Sequence, residues 1–221
     1  MPIVQTPTKI KGIADIVFCI DATASMQNCI DNVKANVENF AISIKTSSPN
    51  TKVDWRARIL GYRDFNVDTE YLLNKFDFVS SHEELQSQLD QVLADGGGDA
   101  PESTLDAILY ASLQSNWRNP GHKIVVVFTD APTLPNLNSK TVADLNVADD
   151  LEIVKQTITE KHIKLFLFGP KDPIYDELSK VSRTVISQYE DIEEGLKNVD
   201  FKSIMDMIGK TVSDVASGGV L

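Results

Sequence analysis

Three short segments of the chain are apolar almost without interruption, at Ile16–Ile20, Ile124–Phe128 and Ile163–Phe168. Each is rich in Val, Ile or Phe, and strands with this pattern are buried on both faces. The pattern is typical of the centre of a parallel sheet. Val53–Tyr62 predicts a further strand, and Tyr71–Phe78 predicts a weaker strand at a sheet edge.

Helical patterns lie between these strands. Apolar residues recur at helix spacing over about 26–45, 102–115 and 147–161, and residues 82–94 predict another helix. Apolar positions from Ile192 to Val212 predict one or two closing helices. Strands that alternate with helices imply right-handed βαβ crossovers. We therefore predict an α/β fold, with a doubly wound, mostly parallel central sheet flanked by helices on both faces.

The chain length of 221 residues fits a single domain, assigned to residues 1–221 with its core at about 14–215. Segment 131–146 is a long break in the predicted secondary structure. It would lie at the carboxyl ends of the strands, where such folds bind ligands. Leu134 and Leu137 in this segment are expected to be exposed, either as part of a partner interface or packed locally.

Charge and composition exclude several classes of function. Lys and Arg total 21 against 32 Asp and Glu, which gives a net charge of −11. A field of this sign predicts no nucleic-acid role and no anionic-membrane role. No apolar run approaches the roughly 20 residues of a membrane span. Cys19 and Cys29 form no disulfide framework, with Cys19 expected to be buried, and we expect a cytoplasmic location.

Acidic and hydroxyl side chains follow the first apolar strand directly. The segment reads Asp21-Ala22-Thr23-Ala24-Ser25. Because alternating residues of an extended loop point the same way, Asp21, Thr23 and Ser25 can converge on one point. Carboxylate and hydroxyl oxygens suit a hard cation such as Mg²⁺. The alternative is that these residues only cap the helix that follows.

Two further acidic loops are predicted at the same edge of the sheet. Thr129-Asp130 ends the strand Ile124–Phe128, and the glycine-rich loop Gly96–Glu102 opens the next helix. Two aspartates at the carboxyl ends of adjacent parallel strands repel each other unless a cation lies between them. The three loops fall where a doubly wound fold binds its ligand.

These motifs together resemble the von Willebrand factor A domain with its metal-ion-dependent adhesion site. The resemblance rests on an apolar strand followed by D-x-T-x-S-M, a G-G-x-D-x-P-E loop and a later V-V-F-T-D, in that order. It covers nearly the whole chain from about Ala14. It implies that direct or water-mediated ligands of Mg²⁺ (or Mn²⁺) are Asp21, Thr23, Ser25 and Asp130. The family usually has serine where Thr23 stands, but the oxygen is retained.

The second loop is similar to that of integrin β-subunit I-like domains. This likeness implies Glu102 as a further ligand of the same metal, with Thr104 as the alternative choice. It also implies a neighbouring Ca²⁺ held by Asp64, Asp99, the Pro101 carbonyl and Glu102. Gly97 stands where those domains have an asparagine ligand, which weakens this second site.

The resemblance implies a non-enzymatic, divalent-cation-dependent protein interaction module. A partner protein would supply an Asp or Glu carboxylate to the vacant metal position. One alternative is a phosphohydrolase of the haloacid-dehalogenase type, because Asp21-Ala22-Thr23 matches its nucleophile motif. Enzymes of that type are expected to have an acidic residue at the end of the strand that corresponds to Ile163–Phe168, but this strand closes with Gly169-Pro170. A second alternative keeps the fold but has no metal.

Overall fold

The structure is a computed structural model that describes residues 12–47, 53–73, 76–98, 100–189 and 200–216. The strands are β1 (Ile13–Asp21), β2 (Asp54–Tyr62), β3 (Leu72–Leu73), β4 (His122–Phe128), β5 (Ile163–Pro170) and β6 (Thr184–Tyr189). The α-helices are α1 (Gln27–Ser47), α2 (His82–Leu89), α3 (Thr104–Gln114), α4 (Ser139–Leu145), α5 (Leu151–Glu160), α6 (Pro173–Ser179) and α7 (Phe201–Ala216). A 3₁₀ turn, Ala24–Met26, precedes α1.

The six strands form one sheet in the order β3-β2-β1-β4-β5-β6. Only β3 runs antiparallel to its neighbour; the other four pairings are parallel. The chain leaves β1 in one direction to β2 and later returns to β4 on the other side. The order therefore reverses between β1 and β4, which opens a crevice at their carboxyl ends. The predicted doubly wound α/β fold is confirmed.

A separate hydrophobic core lies on each face of the sheet. Alternate residues of β1 divide between them: Ile16 and Phe18 pack on the face covered by α1 and α7, whereas Val17 and Cys19 pack on the face covered by α3 and α5. Because β1 is buried on both faces, its sequence is apolar without alternation. Cys19 is a buried apolar residue, as predicted.

The helix pair α1 and α7 packs closely because one position has no side chain. A Cβ at Gly209 would lie 2.6 Å from the Cβ of Ser43 and 2.9 Å from the Phe40 carbonyl oxygen. The Ser43 hydroxyl donates a hydrogen bond to Asp206 across this contact. Among the described helices, none is long and apolar enough to cross a bilayer.

Several predicted boundaries differ from the structure. The weak strand at Tyr71–Phe78 is reduced to the two residues of β3, with 74–75 outside the described residues. The part of the closing helices predicted from Ile192 to Val199 also lies outside them. Segment 131–146 is not one long break, because it contains α4. The seven residues of α4 are too short for a helical period to be legible in the sequence.

The expectation that Leu137 is exposed was wrong. Its side chain is only 6% exposed and packs into the core on the α3 face of the sheet. The Leu137 amide donates to Asp149 Oδ1 at 2.7 Å, which turns the chain inward before α4. Leu134 is half-buried. Leu137 therefore packs locally, which is the alternative to a partner interface that the sequence left open.

A cluster of charged side chains stabilises the amino-terminal ends of the strands, opposite the crevice. Buried Asp15 accepts hydrogen bonds from Arg56 Nε and Nη2 at 2.9 and 2.8 Å, and from Arg118 Nε at 2.7 Å. Burial raises the pKa of Asp15, but the hydrogen bonds from the two arginines outweigh it, so this pKa lies below its usual value. The cluster ties β1 and β2 to the loop before β4.

Candidate metal centre

The first loop of the site is organised around Asp21, the last residue of β1. Its side chain is fully buried. Oδ1 accepts from the Thr23 amide at 3.0 Å and from the Thr23 hydroxyl at 2.7 Å, and Oδ2 accepts from the Thr129 hydroxyl at 2.8 Å. Thr23 is the N-cap of the 3₁₀ turn, but its side chain makes no capping hydrogen bond. The helix-capping alternative therefore does not account for this hydroxyl.

A continuous run of oxygen atoms joins the first loop to the third. The Thr23 and Ser25 hydroxyl oxygens are 3.4 Å apart, and the Ser25 hydroxyl donates to Asp130 Oδ1 at 3.1 Å. Together with Asp21, these side chains lie at the carboxyl ends of β1 and β4. The structure thus brings together the four residues that the first and third motifs indicated.

Glu102 reaches the same place from the loop before α3. Its backbone pairs with Thr133 in a parallel bridge, in which Glu102 N donates to Pro132 O at 2.9 Å and Leu134 N donates to Glu102 O at 2.8 Å. The side chain is only 4% exposed, and its Oε2 atom is buried without a hydrogen-bond partner. A cleft of about 280 Å³ is lined by Thr23, Ser25, Glu102 and Asp130, with Ala24, Gly96–Gly98, Ala100 and Ala131.

Thr104, the alternative ligand, points elsewhere. Its hydroxyl lies 3.0 Å from the Tyr62 hydroxyl and 3.2 Å from the Tyr175 hydroxyl, and all three side chains are buried. Thr104 does not line the cleft. The geometry therefore favours Glu102 over Thr104 as the contribution of the second loop.

The glycine loop closes one side of the cleft. Gly96 and Gly97 have φ angles of 68° and 80°, which L side chains rarely adopt. A Cβ at Gly97 would lie 2.8 Å from the Thr23 side chain. The Gly97 amide donates to Asp68 Oδ2 at 3.0 Å, so Asp68 holds the loop. Asp68 was missed in the sequence because it belongs to no motif.

The residues of the implied calcium site are only partly placed. Asp64 is buried beside the glycine loop, where its Oδ1 accepts from the Asn66 amide at 2.8 Å. Asp99 lies outside the described residues. Pro101 is half-buried and follows a cis peptide bond. Asp64 and Glu102 are thus brought near the same loop, while the contributions of Asp99 and Pro101 stay predictions.

Negative charge accumulates in the cleft. The pKa of Glu102 is raised to about 8, chiefly by burial and also by the charges of Asp21, Asp64, Asp130 and Asp68. None of the described residues that line the cleft is a lysine or arginine. The side chains that line the cleft therefore bring negative charge and hydroxyl groups to it, and no basic group.

The pKa of Asp21 is also raised, to about 6. Burial is the main cause; hydrogen bonds from Thr23 and Thr129 act in the opposite direction, and the charge of Asp130 adds to the increase. Burial disfavours the ionised form of this carboxylate even with its hydrogen bonds, and a bound dication would favour the ionised form.

The donor set fits a hard dication held jointly by hydroxyl and carboxylate oxygens. Within the described ranges, no three acidic, histidine or cysteine side chains converge in an arrangement that could hold a metal. The hydroxyls of Thr23 and Ser25 are therefore necessary parts of any such site. The Oε2 atom of Glu102 is buried and has no hydrogen-bond partner, so it is the oxygen of this site that most clearly calls for a bound cation.

The fold and the cleft define a doubly wound α/β domain with a ligand site at its topological switch point. The sequence profile of the von Willebrand factor A domain matches residues 15–192, and the chain belongs to this family of protein-interaction modules. The resemblance inferred from the three motifs is therefore confirmed at the level of the family.

Solved structures with the same fold include a matrix protein of the mussel byssus and a pilus adhesin. Proximal thread matrix protein 1 from the mussel byssus aligns with a TM-score of 0.56 at 15% identity, over 92% of this chain and 47% of that chain. A structure of the same protein is described as having a zinc occupied MIDAS motif, the abbreviation of metal-ion-dependent adhesion site. It aligns with a TM-score of 0.56 at 16% identity, over 92% of this chain and 46% of that one. The pilus adhesin SpaC from Lactobacillus rhamnosus GG aligns with a TM-score of 0.60 at 11% identity, over 94% and 31% of the two chains.

One relative is named as a kinase. The alpha-protein kinase vwkA of Dictyostelium discoideum is 27% identical over 119 residues, which make up 53% of this chain and 18% of the relative. The chain thus matches less than a fifth of that protein and less than half of each solved structure above.

Proposed function

We propose that the protein is a non-enzymatic, divalent-cation-dependent interaction module that captures an Asp or Glu carboxylate of a partner protein. The proposal is carried by the unbroken run of oxygen atoms from Asp21 to Asp130, with the unpartnered oxygen of Glu102 in the same cleft. The mussel protein of the same fold, whose MIDAS motif is described as zinc occupied, supports a cation at this place. Mg²⁺ or Mn²⁺ is the proposed cation.

Each of these residues would have a distinct role in such a site. Asp21 fixes the Thr23 hydroxyl through Oδ1 and the Thr129 hydroxyl through Oδ2. Ser25 bridges Thr23 and Asp130. Ala24 and Ala131 line the cleft without adding charge. When bound, the dication would supply the positive charge that attracts a partner's carboxylate into this acidic cleft.

A neighbouring Ca²⁺ is a second part of the proposal. Its ligands would be Asp64, Asp99, the Pro101 carbonyl and Glu102. Support comes from the glycine loop, where a Cβ at Gly97 would lie 3.6 Å from Glu102 Oε1 and a Cβ at Gly98 would lie 3.5 Å from Asp64 Oδ2, so both carboxylates border this loop. A second dication would offset this repulsion.

The phosphohydrolase alternative fits the geometry poorly. A nucleophilic Asp21 would need an oxygen free to reach phosphorus, but both its oxygens accept hydrogen bonds and the side chain is fully buried. The nearest acid after β5 is Asp172, whose carboxylate caps α6. The kinase activity in the name of the slime-mould relative belongs to a protein of which the match covers 18%, so it is not transferred.

A cytoplasmic location is also proposed. Both cysteines are free thiols and both are buried. This supports a reducing compartment, in which disulfides are rare.

The decisive experiment compares two aspartate variants by calorimetric titration with Mn²⁺. Asp130→Asn is expected to lower Mn²⁺ affinity at least about tenfold, or ~1.4 kcal/mol, because it removes a charged oxygen ligand. Asp90→Asn, at the exposed end of α2, makes the same charge change and should leave the affinity unchanged. Circular dichroism checks that both variants keep the fold.

Equal Mn²⁺ binding by Asp130→Asn and wild type would overturn the cation site, and a wild type that binds no Mn²⁺ would favour the metal-free scaffold. The partner is then sought by affinity capture in Mg²⁺, with release by a chelator. Proteins retained equally in both conditions would contradict cation-dependent recognition.

A further inference from the structure

A buried network of hydroxyl groups lies directly beneath the cleft. The Thr104 hydroxyl lies between those of Tyr62 and Tyr175, at 3.0 and 3.2 Å, and the Tyr175 hydroxyl also donates to the carbonyl oxygen of Ala131 at 3.1 Å. Tyr62, Thr104 and Tyr175 have no exposed surface. Buried polar groups of this kind rigidify a structure when all of them are hydrogen-bonded.

Tyr175 is the principal donor for the Ala131 carbonyl. The Thr129 hydroxyl also lies near that oxygen, at 3.4 Å, but it is closer to Asp21 Oδ2, at 2.8 Å. A hydroxyl has only one hydrogen to donate. The Tyr175 hydroxyl is placed to donate to the Ala131 carbonyl, at 3.1 Å, or to the Thr104 hydroxyl, at 3.2 Å. Because Thr104 can accept from Tyr62 instead, and the Thr129 hydrogen is directed to Asp21, we assign the Tyr175 hydrogen to the Ala131 carbonyl.

The network joins each element that carries a proposed ligand. Tyr62 pairs with Asp21 across β1 and β2, Thr104 stands two residues after Glu102, and Ala131 follows Asp130. Tyr175 lies on α6, which contributes no residue to the cleft. A helix outside the site is therefore hydrogen-bonded to the loop that carries Asp130.

Asp172, the N-cap of α6, makes a second contact with the loop that follows Asp130. Asp172 Oδ1 accepts from the Ile174 amide at 2.6 Å, while its Oδ2 accepts from the Thr133 amide at 3.1 Å. On its other side the loop is bridged to Glu102. The segment from Ala131 to Thr133 is thus clamped between α6 and the second loop.

We infer that Tyr175 is a positioning residue of the proposed cation site, through the hydrogen bond from its hydroxyl to the Ala131 carbonyl beside Asp130. The inference rests on the proposed function. Without that hydroxyl the Ala131 carbonyl loses its donor, and the Asp130 loop loses one of the two contacts that hold it to α6. Hydrogen-bonding partners behind metal ligands typically change metal affinity 10–100-fold when removed.

The test uses two phenylalanine variants. Tyr175→Phe removes the hydroxyl and keeps the ring in place. Tyr110→Phe is the matched control, because Tyr110 is also buried but its hydroxyl donates to Asp144 at 2.8 Å, away from the cleft. Mn²⁺ affinity, measured by calorimetry and by water-proton relaxation, is expected to fall about tenfold in Tyr175→Phe. The control should stay within about twofold of wild type.

A second readout needs no metal. In the metal-free protein, hydrogen exchange of the Glu102 and Leu134 amides reports the bridge between the second and third loops. Tyr175→Phe is expected to speed this exchange about tenfold, whereas Tyr110→Phe should not, even if both variants are destabilised to a similar extent.

The possible outcomes distinguish a failure of this inference from a failure of the proposed function. If wild type binds Mn²⁺ and Tyr175→Phe binds it equally well with unchanged amide exchange, the positioning role is wrong while the cation site stands. If both phenylalanine variants lose affinity equally, the effect is a general one of stability and the inference again fails. If wild type does not bind Mn²⁺, the proposed function and the inference fall together.

Discussion

Individual side chains at the candidate site differ in how firmly their neighbours hold them. Asp21 is fully buried and accepts three hydrogen bonds, whereas Ser25 is exposed and joins the site through its bonds to Thr23 and Asp130. Ser25 therefore has more freedom to adjust to a bound group than Asp21 has. A preformed base with an adjustable rim suits capture of groups from different partners.

Among buried acids outside the cleft, Asp106 on α3 gives a clear pH prediction. Its Oδ1 accepts from the Asn138 amide at 2.9 Å, and burial raises its pKa from 3.8 to about 6. Because the folded state holds this proton more tightly than the unfolded state, its contribution to the free energy of unfolding is lost as pH rises from about 4 through 6.

Asp106→Asn removes that titration. The stability of the variant relative to wild type should therefore rise by about 2–3 kcal/mol between pH 4 and pH 7, at ~1.4 kcal/mol per pKa unit. Urea unfolding at the two pH values measures the difference. A stability gap that does not change with pH would contradict a raised pKa at this position.

The sequence predicted the side chains that belong to motifs and missed those that act by packing. Asp21, Thr23, Ser25 and Asp130 were indicated by motif spacing, and the structure brings them together. Tyr175 was missed because an aromatic residue in a short helix is usually a core residue, and its hydrogen bond spans 44 residues of sequence. Contacts over such separations leave no local pattern.

Among the structural elements, the glycine loop is the most constrained by the site. Gly97→Ala would place a Cβ 2.8 Å from Thr23 at a φ of 80°, a conformation that costs a non-glycine residue roughly 1–2 kcal/mol. We expect the loop to move away from Thr23 and Mn²⁺ affinity to fall.

Gly98→Ala is the matched control for this loop. Its backbone has no positive φ, and its Cβ would meet the side chain of Val67, which is exposed and can move. Calorimetry should therefore give near-wild-type Mn²⁺ binding for Gly98→Ala and weaker binding for Gly97→Ala. Equal binding by both variants would show that the approach of the loop to Thr23 has no part in the site.

Strands could be predicted from the sequence where their apolar residues formed a continuous run. β1, β4 and β5 are buried on both faces and were legible as continuous apolar runs. The edge strand β6 was missed, because its residues are only half-buried or exposed and its sequence TVISQY is mixed. The short helices α4 and α6 begin with capping by Asn138 and Asp172, but each has only seven residues. Tertiary contacts define these elements more than local pattern does.

At the scale of the whole molecule, the charge cluster around Asp15 is the clearest determinant of stability. Asp15→Asn removes the buried negative charge that Arg56 and Arg118 share, and breaking a buried pair of this kind costs about 3–5 kcal/mol. Because the pKa of Asp15 is lowered in the folded state, this contribution is present above about pH 4 and is lost as the pH falls below it.

Asp54→Asn is the control for this cluster. Asp54 is half exposed and lies 3.2 Å from Arg118 Nη1, so its loss should cost less than about 1 kcal/mol. Urea unfolding at pH 7 and pH 3 is the measurement. If Asp15→Asn were no more costly than Asp54→Asn at pH 7, the cluster would not fasten the amino-terminal edge of the sheet.

Negative charge is concentrated at one end of the sheet, and this has a kinetic consequence. Five acids gather at the carboxyl end, namely Asp21, Asp64, Asp68, Glu102 and Asp130, whereas Asp15 and Asp54 offset Arg56 and Arg118 at the other end. The resulting negative field at the carboxyl end would repel an approaching acidic molecule before any contact forms. Neutralising the acidic end with a dication would remove that barrier. The rate of encounter, and not only the lifetime of the complex, would then follow the divalent-ion concentration, most steeply at low ionic strength.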